Sequence, residues 1–406
     1  MTHVVVTGLG AVTPAGFGME ATWEAVCRGD STAATDPALS GMPVTFSCRA
    51  PAVEHAVDPM ALWRLDRSSQ LALAAAREAI AEAGLDPDTW DGPRIGVVIG
   101  SSLGGAAVWH DQLGKLSTHG PGRISAACLP MLLTNTPCGE VALAIGARGP
   151  SLAPVTACAT GTTALAVAHD LLVTGQCDIV LAGGAEAGTT PLVVTAFHRC
   201  GALAASNDDP ATASRPFAPD RSGLVVAEGA GVLVLERAET ARARNAPVRA
   251  VLAGCGQSTD AHHPTSPRPD AAGAQQAVEA ALRHARLAPE AIGHVNAHAT
   301  GTRLGDAAEA LMIGRLFPHR PPVTSVKGSL GHALGAAGAI EAALTVLTLE
   351  RGLVPPTAHT DQADPAFDID LVTKTPRERR IDTAVSTSFG FGGHNAAVVL
   401  RHPHVF

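Results

Sequence analysis

The sequence predicts an α/β protein built from two similar halves. Three observations point there. Hydrophobic residues fill 46% of the 406 positions and charged residues only 16%, so the interior is large relative to the surface. Short β-branched runs bounded by glycine alternate with longer runs whose apolar residues recur at helical spacing. Near Val248 the order of these elements starts again, which divides the chain into 1–247 and 248–406.

In the first half, residues 4–7 read as a strand ending at Gly8, and 20–28 as a short helix. Residues 68–83 form a helix stopped by Gly84, and 94–99 a buried strand running into Gly100. Residues 151–156 are a short extended run opened by Gly149 and Pro150. Ala164, Leu165, Val167, Ala168, Leu171 and Leu172 then recur at helical spacing until Gly175. Strands follow at 178–182, ending in Gly183 and Gly184, and at 231–236. The Arg-rich 238–245 reads as a solvated surface. In the second half, 248–253 is a strand ending at Gly254, as 4–7 ended at Gly8. A helix at 271–285 answers 68–83, and 294–297 is a short strand. A helix at 338–349 follows, then strands at 384–387 and 396–400.

Composition excludes several classes. A net charge of -8 without lysine or arginine runs argues against nucleic-acid binding. No apolar run reaches the roughly 18 residues of a membrane span. Residues 1–8 enter a strand without a basic segment or cleavage site, so no signal peptide is expected. The eight cysteines contain no CxxC and no paired metal spacing, which fits a reduced, cytoplasmic protein and no bound metal. Gly8-Leu9-Gly10-Ala11-Val12-Thr13 lacks the third glycine of a dinucleotide loop, and Pro14 follows.

The stretch of most chemical interest is Thr156-Ala157-Cys158-Ala159-Thr160-Gly161, at a junction between extended chain and helix. A thiol there feels the positive end of the helix dipole, which favours thiolate. The unpaired N–H groups of the same turn can hold an oxyanion. Position alone leaves both a nucleophile and an ordinary buried cysteine open. Gly100-Ser101-Ser102-Leu103-Gly104 fits the G-x-S-x-G elbow of serine hydrolases and makes Ser102 a rival, though none of the 17 histidines stands out as its partner. Three further stretches set reactive side chains among small residues: Val295 to Asp306, Ser325 to Gly338, and Ser386 to Asn395.

Together these stretches resemble the β-ketoacyl-acyl-carrier-protein synthases of the type II group, within the thiolase-fold condensing enzymes. The resemblance runs from Val4 to Leu400. It rests on VVVTGLGAVTPAG at 4–16, TACATG at 156–161, VLAGGAEA at 180–187, VNAHATGT at 295–302, SVKGSLGHALGAAG at 325–338 and SFGFGGHN at 388–395. It implies a thiolase-like five-layer αβαβα fold and a dimer, either a homodimer or a heterodimer with a chain-length factor. It implies a decarboxylative Claisen condensation in fatty-acid or type II polyketide biosynthesis. Cys158 would take the acyl group. His298 and His332 would stabilise the enolate left by malonyl decarboxylation, and Lys327 would set the charge pattern. The amides of Cys158 and Phe391 would form an oxyanion hole, with Phe391 also the gate.

The same resemblance makes Asp306 and Glu341 supporting acids. It assigns Thr300, Thr302 and Ser266 to a pantetheine tunnel, Phe197 to an apolar wall, and Trp109 to the end of the acyl pocket, where its indole would limit chain length. The acyl carrier protein is the implied partner and brings the phosphopantetheine, so no resident cofactor is implied. Its acidity calls for a basic tunnel mouth, with Arg64, Arg67, Arg123 and Arg199 as candidates. Ala299 in place of Gly, His394 in place of Thr, and Ala218 in place of an acid depart from the fatty-acid pattern. Two other readings stay in view. A non-catalytic chain-length-factor-like subunit would lack the nucleophile. A thiolase acting on CoA esters would need a cysteine after Cys255, and none exists.

Overall fold

The computed structural model describes residues 3–204 and 209–405; Met1 and Thr2, where the reading of the N-terminus starts, lie outside them. Among the described residues one sheet of 12 strands runs through the molecule, one of them the short Gly16–Phe17, which pairs with Val4–Thr13 off the main order. At its centre Val4–Thr13 pairs antiparallel with Ala250–Thr259. Beyond Val4–Thr13 come Glu228–Arg237, Ile179–Ala187, Ile95–Gly100 and Ser151–Leu152; beyond Ala250–Thr259 come His394–Arg401, Thr383–Gly390, His294–Asn296, Pro322–Thr324 and Asp370–Leu371. The two arms repeat each other in pairing as well as order. The first two pairs outward are antiparallel, and the next two are parallel.

Two apolar helices, Thr160–Val173 and Ala337–Arg351, lie between the arms and touch strands of both. Arg67–Glu82 covers the outer face of one arm and Ala272–Ala285 that of the other. The layers are therefore helix, sheet, helix, sheet, helix. Burial explains the central pair: every residue of Ala337–Arg351 from Ala337 to Leu349 is buried, as a helix walled by two sheets requires.

The expected 151–156 and 294–297 shorten to Ser151–Leu152 and His294–Asn296, whereas Val4–Thr13, Ile179–Ala187 and Ala250–Thr259 are longer than the sequence predicts, for one physical reason. Gly8 and Gly10 do not end the first strand but continue it. A Cβ at Gly8 would stand 2.1 Å from the Ala79 carbonyl oxygen, and one at Gly10 would stand 2.0 Å from that of Ala75. These glycines let Arg67–Glu82 settle on the sheet. Gly254 does the same for Ala272–Ala285, with the Ala281 oxygen 2.2 Å from a built Cβ. Gly183 and Gly184 continue Ile179–Ala187, close against Gly231 and Gly335. Glycine here marks close approach rather than a turn. Residues 238–245 also differ from expectation: Ala238–Ala243 is a short helix with Ala238 and Ala241 buried, and Arg244 is paired with buried Glu236.

Candidate active site

Cys158 lies in the 3₁₀ turn Ala157–Ala159, which leads into the helix Thr160–Val173. Ala157 holds φ 49°, in the left-handed region, so the turn is strained where it presents the sulfur. Ser102 Oγ donates to the Ala157 carbonyl at 2.8 Å and steadies that turn. This bond answers the serine-hydrolase reading: the Ser102 hydroxyl is a brace, and Glu186 accepts the Ser102 N–H at 2.8 Å, with no histidine bonded to either among the described residues.

Cys158, His298 and His332 all line one cavity of about 380 Å³. His298 follows the strand His294–Asn296. Its N–H donates to Glu309 Oε1 at 2.9 Å and to Thr387 Oγ1 at 3.2 Å. His332 follows the short helix Lys327–Leu330. Its N–H donates to the Val225 carbonyl at 2.7 Å, and its own carbonyl accepts from Ala227 at 3.0 Å. The two imidazoles meet edge to face, centroids 5.1 Å apart at 83°. Both ring nitrogens of His332 and Nδ1 of His298 have no hydrogen-bond partner among the described residues. Backbone anchoring with unengaged ring nitrogens is what a ligand-facing histidine needs.

Electrostatics fix the protonation states. Burial, then the charge of Lys327, hold both imidazoles well below the usual histidine range, so both are neutral at pH 7. Burial pushes the Cys158 thiol up to about 12; the Lys327 charge, the Phe391 N–H and its own N–H pull the other way. The N-terminus of the 14-residue helix Thr160–Val173 adds its field in the same lowering sense. Helix position alone favours the thiolate and leaves an ordinary buried cysteine open. In the structure the helix field is one of several influences, and burial, which favours the thiol, is the largest.

Lys327 lies behind the cavity, fully buried, and pairs with Glu341. Burial raises the Glu341 carboxyl to about 7, with Lys327 opposing. Asp306 accepts from the N–H groups of Phe217 (2.7 Å), Thr300 (3.0 Å) and Gly301 (3.1 Å), holding the turn in which Gly301 takes φ 82°. Burial raises Asp306 to about 7.

Two buried acids escape the sequence reading. Glu309 accepts from the N–H groups of His298 and Ala299 (2.6 Å for the latter) and from Thr387 Oγ1 at 2.7 Å. Glu186 ties Ser101, Ser102 and Leu103 to Gly335. The only sequence signal for Glu309 is its place three residues after Asp306 on the helix Arg303–Leu316.

Of the other expected residues, Phe391, Phe197, Thr300, Thr302, Ser266 and Ala299 line the cavity. The Phe391 and Phe197 rings stack obliquely with centroids 5.7 Å apart. Trp109 does not line the cavity: it is 50% exposed on the helix Ala106–His119, whose apolar face is left uncovered by the described residues. Ala218 is buried, and His394 packs beside Gly392 rather than on the cavity. Arg64 and Arg67 are corrected as mouth residues. Arg64 forks onto Glu140 at 3.1 and 2.9 Å, and Arg67 spans Glu228 and the Ala50 and Pro51 carbonyls. Arg123 and Arg199 are exposed but off the cavity; Arg268 and Arg303 line it instead.

A buried cysteine and two neutral imidazoles on one cavity, in a duplicated α/β fold, define a cysteine-bearing acyl-transfer class of site. Comparison with known proteins agrees. Residues 1–241 match the profile of the Beta-ketoacyl synthase, N-terminal domain, and 249–361 that of the Beta-ketoacyl synthase, C-terminal domain. The chain is 38% identical over 406 residues to 3-oxoacyl-[acyl-carrier-protein] synthase 2 of Staphylococcus aureus, covering 98% of each. Its fold matches a type II polyketide ketosynthase solved with its acyl-carrier protein at TM-score 0.92, with 31% identity over 99% of each chain. It matches the ishigamide ketosynthase/chain length factor at TM-score 0.91, again with 31% identity over 99% of each chain. The chain belongs to the β-ketoacyl synthase family and is an acyl-transferring condensing enzyme.

Proposed function

We propose that this protein joins an acyl group carried on Cys158 to a two-carbon unit from malonyl-acyl carrier protein. The Cys158 sulfur attacks the acyl thioester, the carrier thiol leaves, and the sulfur's proton passes to that thiol. N–H groups of Cys158 and Phe391 hold the oxyanion meanwhile. Malonyl thioester then enters and loses CO2. Neutral His298 and His332 donate N–H bonds to the enolate oxygen, which a carboxylate at either position would repel. The enolate carbon attacks the acyl-enzyme and the C–S bond breaks. The sulfur takes a proton from solvent, and a 3-oxoacyl carrier thioester two carbons longer departs.

Lys327 supplies positive potential to the sulfur and both rings while Glu341 keeps its charge compensated. Asp306 and Glu309 hold the 298–301 backbone. Residues 1–247 contribute the nucleophile and 248–406 the histidines and lysine, so the reaction needs both halves. Thr300, Thr302 and Ser266 offer hydroxyls to the pantetheine amides, and Arg268 and Arg303 offer charge to its phosphate. The phosphopantetheine belongs to the carrier, not to this chain. Ala299 narrows the passage beside His298.

The uncovered face of Ala106–His119 supports pairing with a second chain, where Trp109, Leu113 (53% exposed) and Leu116 (45% exposed) would be buried. That partner is a second copy or a chain-length factor. Trp109 then bears on chain length from the pairing face rather than from within the single-chain cavity. All eight cysteines are free, which suits a cytoplasmic setting. The chain-length-factor reading of this chain itself has less support, because the nucleophile and both histidines are present together.

The observation that carries the proposal is the shared cavity of Cys158 with two neutral imidazoles. Acyl- and malonyl-carrier proteins incubated with the enzyme should yield a 3-oxoacyl product and CO2 in equal amounts. Cys158→Ala should abolish the product. Product formation by that variant at the wild-type rate would overturn the reading.

A further inference from the structure

Far from the cavity, a second cluster of reactive side chains gathers from three elements that are distant in sequence. His169 comes from the helix Thr160–Val173, Cys255 from the strand Ala250–Thr259, and His284 from the helix Ala272–Ala285. One nitrogen of each ring and the Cys255 sulfur all lie within 4.8 Å of one another. None of the three lines the cavity around Cys158.

His169 is only 6% exposed, and its Nδ1 has no hydrogen-bond partner among the described residues. A buried ring nitrogen without a partner is costly unless something occupies its lone pair. The carboxylate of Asp170 stands beside it, with Oδ1 3.6 Å from that nitrogen, too far for a hydrogen bond. Asp170 is largely exposed and can swing. The His169 and His284 rings meet edge to face, with centroids 4.7 Å apart at 85°.

His284 is held from the other side. Val4–Thr13 pairs with Ala250–Thr259 only through Leu252, so the N–H and carbonyl of Cys255 have no strand partner on that edge. His284 Nδ1 fills the place, 3.1 Å from Cys255 N and 3.2 Å from Cys255 O. Such a backbone contact orients an imidazole in the way seen at metal-ligating histidines.

We propose that His169, Cys255 and His284 form a site for a borderline-soft divalent cation of the Zn2+ class, with Asp170 or a water as fourth ligand. Two imidazoles and a thiolate are the donor set that such a cation selects over harder Mg2+ or Ca2+. Tetrahedral coordination sets donors about 3.3–3.7 Å apart, so the three groups need to close by about 1 Å. His284 stands at the surface and supplies that movement. Binding displaces the Cys255 proton to solvent, so uptake releases one proton and strengthens as pH rises. The ion would fasten the helix whose other end follows the Cys158 turn to a strand and helix of the second half. Sequence spacing hides the site, because its ligands stand 86 and 29 residues apart.

The test is Co2+ titration of the reduced, chelator-washed chain, followed by displacement with Zn2+. Wild type is compared with Cys158→Ala, His284→Ala and Cys255→Ser. The proposal expects one cobalt per chain, with a thiolate-to-cobalt charge-transfer band, in wild type and in Cys158→Ala alike. His284→Ala should bind at least about 100-fold more weakly, and Cys255→Ser should lose the band. Excess Zn2+ should raise Tm by about 3 °C in wild type and not in His284→Ala. His284 is exposed, so that variant should match the metal-free wild type in circular dichroism and Tm. A wild-type chain that shows no thiolate band with excess Co2+, or a band that survives Cys255→Ser, would overturn the proposal.

Discussion

Gly390→Ala tests the geometry around the nucleophile without touching any side chain there. A Cβ built on Gly390 would stand 2.7 Å from the Thr156 carbonyl oxygen, 2.9 Å from Cys158 N and 3.2 Å from Ala157 Cβ. Two of those neighbours are backbone atoms and cannot rotate away. Ala157 already holds a left-handed φ of 49°, so the turn has little room to yield. The methyl therefore pushes the Cys158 N–H off its direction, and the strain passes along the chain to Phe391, whose N–H lowers the Cys158 thiol. Misplacing one oxyanion donor costs about 100- to 1,000-fold in rate, or about 2.7–4 kcal/mol. Overpacking adds about 1–3 kcal/mol of instability, which lowers Tm by a few degrees in a chain of this size.

The assay is the rate of acyl transfer from a carrier thioester to the protein, followed by intact mass. Acyl transfer should fall at least about 100-fold. Decarboxylation of malonyl-carrier protein should fall much less, because Glu309 and Thr387 hold His298 outside the collision. Acyl transfer within about threefold of wild type, in a folded variant, would refute the argument.

Other perturbations separate charge from packing. Lys327→Met leaves Glu341 buried without its cation and should destabilise the chain by about 3–5 kcal/mol. Lys327→Met with Glu341→Leu should regain stability but not condensation; recovery of both would make Lys327 purely structural. Glu309→Ala strips two buried N–H groups of their acceptor, at about 1–3 kcal/mol each, and should slow decarboxylation through His298; unchanged decarboxylation by that variant would contradict the link. Asp306 is raised from 3.8 to about 7 and Glu341 from 4.5 to about 7, so stability tied to these groups is full at low pH and falls as pH climbs through 7. Across about pH 5 to 7, wild-type Tm should therefore fall relative to Asp306→Asn; parallel curves would exclude that linkage. Leu113→Asp places a charge in the uncovered apolar face and should shift sedimentation to the monomer; an unchanged coefficient would place the pairing surface elsewhere.

The parts of this site that sequence reveals are those written as short loops of small residues around one reactive side chain. Cys158, His298 and His332 each stand in such a loop, and each reaches the cavity. What stays hidden follows from contacts between distant segments. Glu309 sits in a helix, eleven residues from the N–H it supports, and reads as an ordinary surface acid. Gly8, Gly183 and Gly254 read as strand ends, yet they and Gly10 lie inside strands where a neighbouring backbone leaves no room for a methyl. Arg64 and Arg67 read as free surface charge because Glu140 and Glu228, which hold them, are far along the chain. Trp109 reads as a pocket residue by motif position, while its helix leaves the indole outside the single-chain cavity.

Where the acyl group rests between transfer and condensation decides most directly whether Cys158 is the nucleophile. Acyl-carrier protein is mixed with the enzyme, the reaction is quenched before malonyl-carrier protein is added, and the digest is mapped by mass. The account predicts a single acyl adduct on the peptide bearing Cys158, which disappears with CO2 release once malonyl-carrier protein is supplied. An adduct on Ser102 or on another cysteine, or condensation with Cys158 never acylated, would contradict it.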